Sequence, residues 1–178
     1  MTAWRAGLLA LCLVAIDACG ESVALPAAVA RDFASLQRVG NARFVKWWMH
    51  VYDATLFTEG GGTPGKGPFA LELRYAMRLS GQDIAARSVE EIRRLRPVPE
   101  ERLDAWARAM RRIFPDVGPG DRLVGVAIPG REARFYAGER LLGVVADAAF
   151  VDAFFGIWLD ERTSEPALRR ALLGGATP

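Results

Sequence analysis

The chain has 178 residues, and 51% of them are hydrophobic, so it is long enough to form one domain with a proper core. Its formal net charge is only +2, and basic residues alternate with acidic ones along the chain. That balance excludes the basic footprint of a nucleic-acid-binding protein, and we expect no nucleic acid among its partners.

The N-terminus is typical of a secretory signal peptide. Arg5 is followed by an uncharged apolar run from Ala6 to Ile16, and then by small and polar residues. Small residues also precede a cleavage site after Ala24. We therefore predict a signal peptide over residues 1–24 and, over residues 25–178, a domain that is periplasmic or otherwise exported.

Both cysteines, Cys12 and Cys19, lie in this leader. Cleavage before Cys19 would leave a lipid-anchored protein, but Asp17 occupies a position where such sites prefer a small or apolar residue. Cleavage after Ala24 removes both thiols, so the mature chain would have no disulfide and no thiol chemistry. No later run approaches the roughly eighteen apolar residues of a spanning helix, so we expect no transmembrane span in the mature chain.

The first half of the mature chain is predicted to contain strands. A short strand over Phe33 to Val39 ends at Gly40. Ala42 to Phe57 is the most apolar and aromatic run outside the leader, and its β-branched and aromatic residues predict a strand or a bent pair of strands at the centre of the sheet. The glycines and prolines of residues 59–68 then predict a loop between two strands.

Regular alternation follows from Phe69 to Leu79, which predicts a half-buried antiparallel strand. Ser80 and its neighbours can cap a helix that runs through Ile84 to Leu95. A second helix is predicted from near Pro99 to before Pro115, with an apolar stripe facing the core.

The last third repeats this order of strands and then helices. Three short apolar runs predict an antiparallel meander: Leu123 to Ile128, Ala133 to Tyr136, and Arg140 to Val145. Asp147 can cap a helix, and a final amphipathic helix follows residues 163–166. The fold class is therefore α+β, with an antiparallel sheet packed against a layer of α-helices.

Few residues of the mature chain are suited to catalysis. His50 is the single histidine, so a zinc site or a Cys-His pair is excluded, and we expect no metal, no cofactor and no catalytic residue. An apolar cleft between the sheet and the helices would suit an amphipathic anion, with an arginine at its polar end. Arg43 and Arg74 are the candidates, although Arg74 stands on the polar side of its strand and is better explained as a surface charge.

Several segments together resemble the bacterial branch of the chalcone isomerase-like family. They are Gly40 to Arg43 leading to Val51 to Leu56, Leu79 to Ala85 with Ser88 to Glu91, Pro119 to Leu123, and Phe154 to Leu159. The resemblance covers nearly all of the mature chain in the right order. It implies an open-faced sheet against helices, which agrees with the order of elements above.

The family includes plant fatty-acid-binding proteins in which an arginine and a tyrosine of one conserved strand region hold the carboxylate. Arg43 matches that arginine, but Phe57 stands at the tyrosine position. In the plant enzymes that close a chalcone to a flavanone, the pattern has a tyrosine where Ile84 stands, an asparagine at Glu91 and a threonine at about Trp48. Isoleucine and tryptophan can neither order a water nor donate to a developing enolate, so the resemblance does not extend to that catalysis.

We therefore predict an exported, non-catalytic protein that binds a fatty acid or similar apolar anion between sheet and helices, with Arg43 at the polar end. The predicted ligand-binding residues are Arg43, Tyr52, Phe57, Arg74 and Ile84. Two alternatives stay open: an isomerase or intramolecular lyase with another substrate, and an envelope scaffold whose cleft is filled by its own side chains. The phenylalanine at position 57 favours the scaffold.

Overall fold

A six-stranded antiparallel sheet, in which the strands follow chain order from one edge to the other, organises the computed structural model. The model describes residues 24–175. Its strands are β1 (Leu36–Lys46), β2 (Met49–Glu59), β3 (Phe69–Tyr75), β4 (Arg122–Ile128), β5 (Glu132–Ala137) and β6 (Arg140–Val145). Its helices are α1 (Ala27–Asp32), α2 (Gly81–Leu95), α3 (Glu100–Ile113), α4 (Ala148–Leu159) and α5 (Pro166–Leu172). The predicted α+β class is confirmed.

The predicted helix caps are present. At the start of α2, the Ser80 hydroxyl accepts the backbone N–H of Asp83. At the start of α4, the Asp147 carboxylate accepts the N–H groups of Ala149 and Phe150. These side chains satisfy N–H groups that the first turn of a helix leaves without a partner, which is why the helices begin where the sequence predicts.

Four helices cover one face of the sheet, and the short α1 covers part of the other. One face packs on α2 to α5 and forms the main core, which includes Leu56, Leu71, Phe135, Phe150 and Phe155. The other face carries a smaller cluster under α1, formed by Val29, Phe57, Ala70, Val124, Val126 and Tyr136. β3 alternates as predicted, but it ends at Tyr75. On its second face Ala70 is buried in the cluster under α1 and Glu72 is buried as well, whereas Arg74 is exposed.

The aromatic stretch from Ala42 to Phe57 forms the end of β1, a two-residue turn at Trp47 and Trp48, and most of β2. The predicted bent pair of strands is therefore confirmed as a hairpin. Its predicted central place in the sheet is wrong, because the strands follow chain order and the first hairpin lies at an edge. Phe44 and Tyr52 of this stretch lie on the helix side of the sheet, whereas Trp47 and Trp48 are exposed in the turn.

The first strand also differs from its prediction. It begins at Leu36, and it continues through Gly40 to Lys46 with a bulge between Arg38 and Gly40. Gly40 is the point where the end of α5 approaches the strand, since a Cβ built there would lie 2.2 Å from the carbonyl oxygen of Ala171. The glycine therefore permits contact between helix and strand instead of ending the strand.

Residues 1–23 of the predicted leader, with the alternative cleavage site before Cys19, lie outside the described residues, and Ala24 is the first residue that the structure describes. Within residues 24–175, no helix is both long and apolar enough to cross a bilayer.

Candidate functional site

A cavity of about 360 Å³ lies between the sheet and the helices. Its walls come from the strands β1 to β5, from α2 and α4, and from the segment that leads into α5. Most of the lining side chains are apolar, and they include Phe44, Val51, Leu71, Leu73, Ile84, Phe154 and Ile157. A cavity of this size, lined mainly by apolar side chains with a few polar groups, is typical of a site for a small apolar ligand.

Two tyrosines provide hydroxyl groups in the wall. Tyr52 and Tyr75 lie on neighbouring strands and pair in the register of β2 and β3, with ring centroids 6.0 Å apart in an edge-to-face arrangement. The indole N–H of Trp158, on α4, donates a hydrogen bond of 3.0 Å to the Tyr52 hydroxyl oxygen. Phe44 stacks on the Tyr52 ring at 4.9 Å. These contacts hold Tyr52 in one orientation.

Both tyrosines remain neutral over the physiological pH range. Burial raises the pKa of Tyr52 and of Tyr75 well above the ordinary phenol value, because the ionised form loses its hydration. Each hydroxyl therefore keeps a proton to donate. Within residues 24–175 the Tyr75 hydroxyl makes no hydrogen bond, although its side chain is only 3% exposed and lines the cavity.

A group of charged side chains forms another part of the cavity wall. The buried carboxylate of Glu91 accepts hydrogen bonds from Arg87 at 2.5 Å, from Arg94 at 3.0 Å and from the Ser164 hydroxyl at 3.2 Å. Arg87 also pairs with Glu90 on the outer side of α2. The Glu91 charge is therefore compensated by two arginines, and this group connects α2 to the segment that leads into α5.

The structure brings two of the five predicted ligand-binding residues, Tyr52 and Ile84, to the cavity. Arg43 lies outside it. Successive side chains of a strand point to opposite faces, so Arg43 faces away from the side on which Phe44 lines the cavity. Its guanidinium is paired at 2.9 Å with Asp53, and its side chain is 64% exposed. The expected place of Arg43 inside the cleft is therefore not found.

Arg74 and Phe57 also lie on the face away from the cavity. Arg74 alternates with Leu73 and Tyr75, which line the cavity, and it pairs in register with Asp53. Phe57 is buried in the cluster under α1. Because Phe57 is not part of the cavity, its lack of a hydroxyl is no argument that the cavity is a filled scaffold.

The positions aligned with the plant enzyme's catalytic residues are dispersed. Ile84 and Glu91 are in the cavity wall, whereas Trp48 lies in the turn between β1 and β2 and is 89% exposed. Sequence reasoning missed Tyr75 and Trp158 as site residues. The alternation of β3, which places Tyr75 beside Leu71 and Leu73, was a signal that could have identified Tyr75. Within the part of the chain that the structure describes, no group of three or more His, Cys, Asp or Glu side chains is placed to hold a metal ion.

Comparison with known proteins gives the family. The profile of the chalcone isomerase-like family matches residues 20–174. The chain belongs to this family. A protein of Haemophilus influenzae, described only as uncharacterized, is 33% identical over 146 residues, which cover 82% of this chain and 71% of that protein.

Among solved structures, the chain is similar to a fatty-acid binding protein of Arabidopsis thaliana. The TM-score is 0.58 with 10% sequence identity, and the match covers 79% of this chain and 87% of the plant chain. A likeness at this identity shows that the fold is shared. It agrees with the open-faced sheet and helix layer that the sequence resemblance implied.

Proposed function

We propose that this protein binds a fatty acid or a similar apolar acid in the cavity between the sheet and the helices. The observation that carries the proposal is the cavity itself, whose volume is about 360 Å³ and whose wall is mainly apolar. Burying an alkyl chain there would stabilise the complex by about 0.8 kcal/mol for each methylene removed from water. The structural likeness to a plant fatty-acid binding protein supports the same ligand class.

We assign the polar end of the ligand to the tyrosine pair. Tyr52 accepts a hydrogen bond from Trp158, and its own proton has no acceptor within the described residues. Tyr75 is buried in the wall with its hydroxyl unused. An acid oxygen that accepts from these hydroxyls would gain about 0.5 to 1.5 kcal/mol for each hydrogen bond. Arg43 is too exposed, and too well paired with Asp53, for this role.

The chain is also proposed to act outside the cytoplasm, because its first 24 residues have the layout of a signal peptide. Export and ligand binding are separate parts of the proposal. An isomerase or lyase activity has less support, since Ile84 replaces the residue that would order a water and Trp48 lies in an exposed turn.

Native mass spectrometry, followed by denaturing extraction, tests the proposal on protein produced from the full chain in a bacterial host. We expect a bound apolar acid in the wild type and in Arg43→Ala, and much less in the double variant Tyr52→Phe with Tyr75→Phe. Losing hydrogen bonds to two hydroxyls should lower affinity at least about tenfold. The mass of the denatured protein also shows whether the chain begins at Leu25, as export predicts.

Tyr136→Phe is the matched control, because this buried tyrosine belongs to the cluster on the other face of the sheet. It should retain the acid. Protein that is empty, and that takes up no added fatty acid, would refute the binding proposal. Loss of the acid in Arg43→Ala but not in the tyrosine variant would instead place the polar end at Arg43, as the family resemblance implies.

A further inference from the structure

The turn between β1 and β2 exposes two adjacent tryptophans. Trp47 is 71% exposed and Trp48 is 89% exposed, and Val45 and Met49 on either side are each about half exposed. We call residues 45–49 the tryptophan tip. Six large apolar residues are exposed within residues 24–175, and four of them belong to this tip. Such a concentration of exposed apolar side chains is typical of a contact surface.

The backbone of the tip is unfavourable for these side chains. Trp47 has a φ of 49° and Trp48 a φ of 60°. A two-residue hairpin turn with positive φ at both positions normally contains Asn-Gly or a similar pair. Bulky residues in this region are outliers, and such strain is concentrated at functional sites. The fold therefore holds the two indoles outward at a cost in stability.

We propose that the tryptophan tip docks on the surface of a lipid membrane. Indole side chains prefer the boundary between lipid and water, since they combine a large apolar ring with one polar N–H group. The tip has no acidic residue and includes Lys46, which suits an anionic lipid surface. A turn with two residues at its end is small for a protein interface, but it can enter the headgroup layer.

The tip also adjoins the cavity, because Lys46 and Met49 contribute to the cavity lining. Docking through Trp47 and Trp48 would bring this side of the cavity to the membrane. An apolar ligand could then pass between the bilayer and the cavity without crossing water. The docking itself is independent of the ligand proposal, and a failure of either leaves the other in place.

Flotation with vesicles of phosphatidylcholine and phosphatidylglycerol tests the proposal on the mature protein. We expect the wild type to float with the vesicles, and its tryptophan fluorescence to be quenched when the acyl chains are brominated. The variant Trp47→Asn with Trp48→Gly should bind at least about tenfold more weakly. Asn-Gly is the pair that this turn prefers, so the variant should fold, and circular dichroism checks that it does.

The matched control is Leu141→Ser with Val144→Ser, which removes two exposed apolar residues from β6 at the other edge of the sheet. It should float like the wild type. Lys46→Gln should weaken binding about fivefold when phosphatidylglycerol is present and leave it unchanged on phosphatidylcholine alone.

Three results would overturn the proposal. The first is that the wild type does not float with the vesicles. The second is that the variant Trp47→Asn with Trp48→Gly floats to the same extent as the wild type. A tryptophan-dependent dimer in the absence of lipid, with no flotation, would assign the tip to a second copy of the chain.

Discussion

Replacing Gly40 with alanine should separate α5 from β1 and destabilise the fold. The added Cβ would lie 2.2 Å from the Ala171 carbonyl oxygen and 2.7 Å from that of Leu172, whereas ordinary contact begins at 3.4 Å. Both obstacles are backbone atoms, so no side-chain rotation can relieve the overlap, and the end of the helix must retreat by about 1 Å. Leu168 and Leu172, which α5 buries in the core, would lose part of their packing.

Overpacking of a close contact typically costs about 1 to 3 kcal/mol, and partial loss of the α5 packing adds to it. We therefore expect Gly40→Ala to lower the free energy of unfolding by about 2 to 4 kcal/mol. For a domain of this size, that corresponds to a fall in Tm of roughly 5 to 15 °C. Urea denaturation and differential scanning calorimetry measure the two quantities.

Gly62→Ala is the matched control, because nothing lies within 4 Å of a Cβ built at that position. Its free energy of unfolding should change by less than about 0.5 kcal/mol. If Gly40→Ala behaves like this control, the reasoning is refuted, and α5 does not pack on β1 as described. Because Leu168 lines the cavity, the same variant should also retain less ligand.

Two further predictions concern the cavity. Leu73→Trp should fill part of the cavity, so native mass spectrometry should show that the bound acid is lost. The free energy of unfolding should change by less than about 1.5 kcal/mol. Retention of the acid would contradict the assigned site. Burial raises the pKa of Tyr52 and of Tyr75 in the folded protein. Above pH about 10 these tyrosines ionise in the unfolded chain and not in the folded one, so the free energy of unfolding should fall as the pH rises further. Urea denaturation at roughly pH 9 and 11 should therefore show a smaller alkaline loss in the double phenylalanine variant, by up to about 1.4 kcal/mol per pH unit for each tyrosine. An equal loss in both proteins would show that the phenols are not desolvated.

Much of the local structure could be read from the chain. The apolar spacing of residues 84–95 and the cap at Ser80 predicted α2, and the alternation from Phe69 predicted β3. The same alternation predicted that Arg74 and Tyr75 point to opposite faces of β3, and the structure confirms it. These predictions succeed because helix and strand periods, and the satisfaction of terminal N–H groups, depend on residues that are close in sequence.

The candidate site was harder to predict. Alternation shows that Arg43 and Phe44 point to opposite faces of β1, but it does not show which face the helices leave open to form a cavity. The structure places Phe44 on that face and pairs Arg43 with Asp53 on the other. The family resemblance predicted that Arg43 binds the ligand. The packing of the helices places the cavity on the opposite face of β1, so Arg43 lies outside it.

The sequence by itself therefore determined the order and type of the elements, the alternation within each strand and the family. The tertiary structure alone decided that the aromatic hairpin lies at the sheet edge, that the end of α5 packs against Gly40, and that Tyr52 and Tyr75 line one cavity. The physical reason is the range of the interactions. Local patterns follow from backbone geometry over a few residues, whereas a cavity forms where elements distant in the chain pack together without filling the space between them.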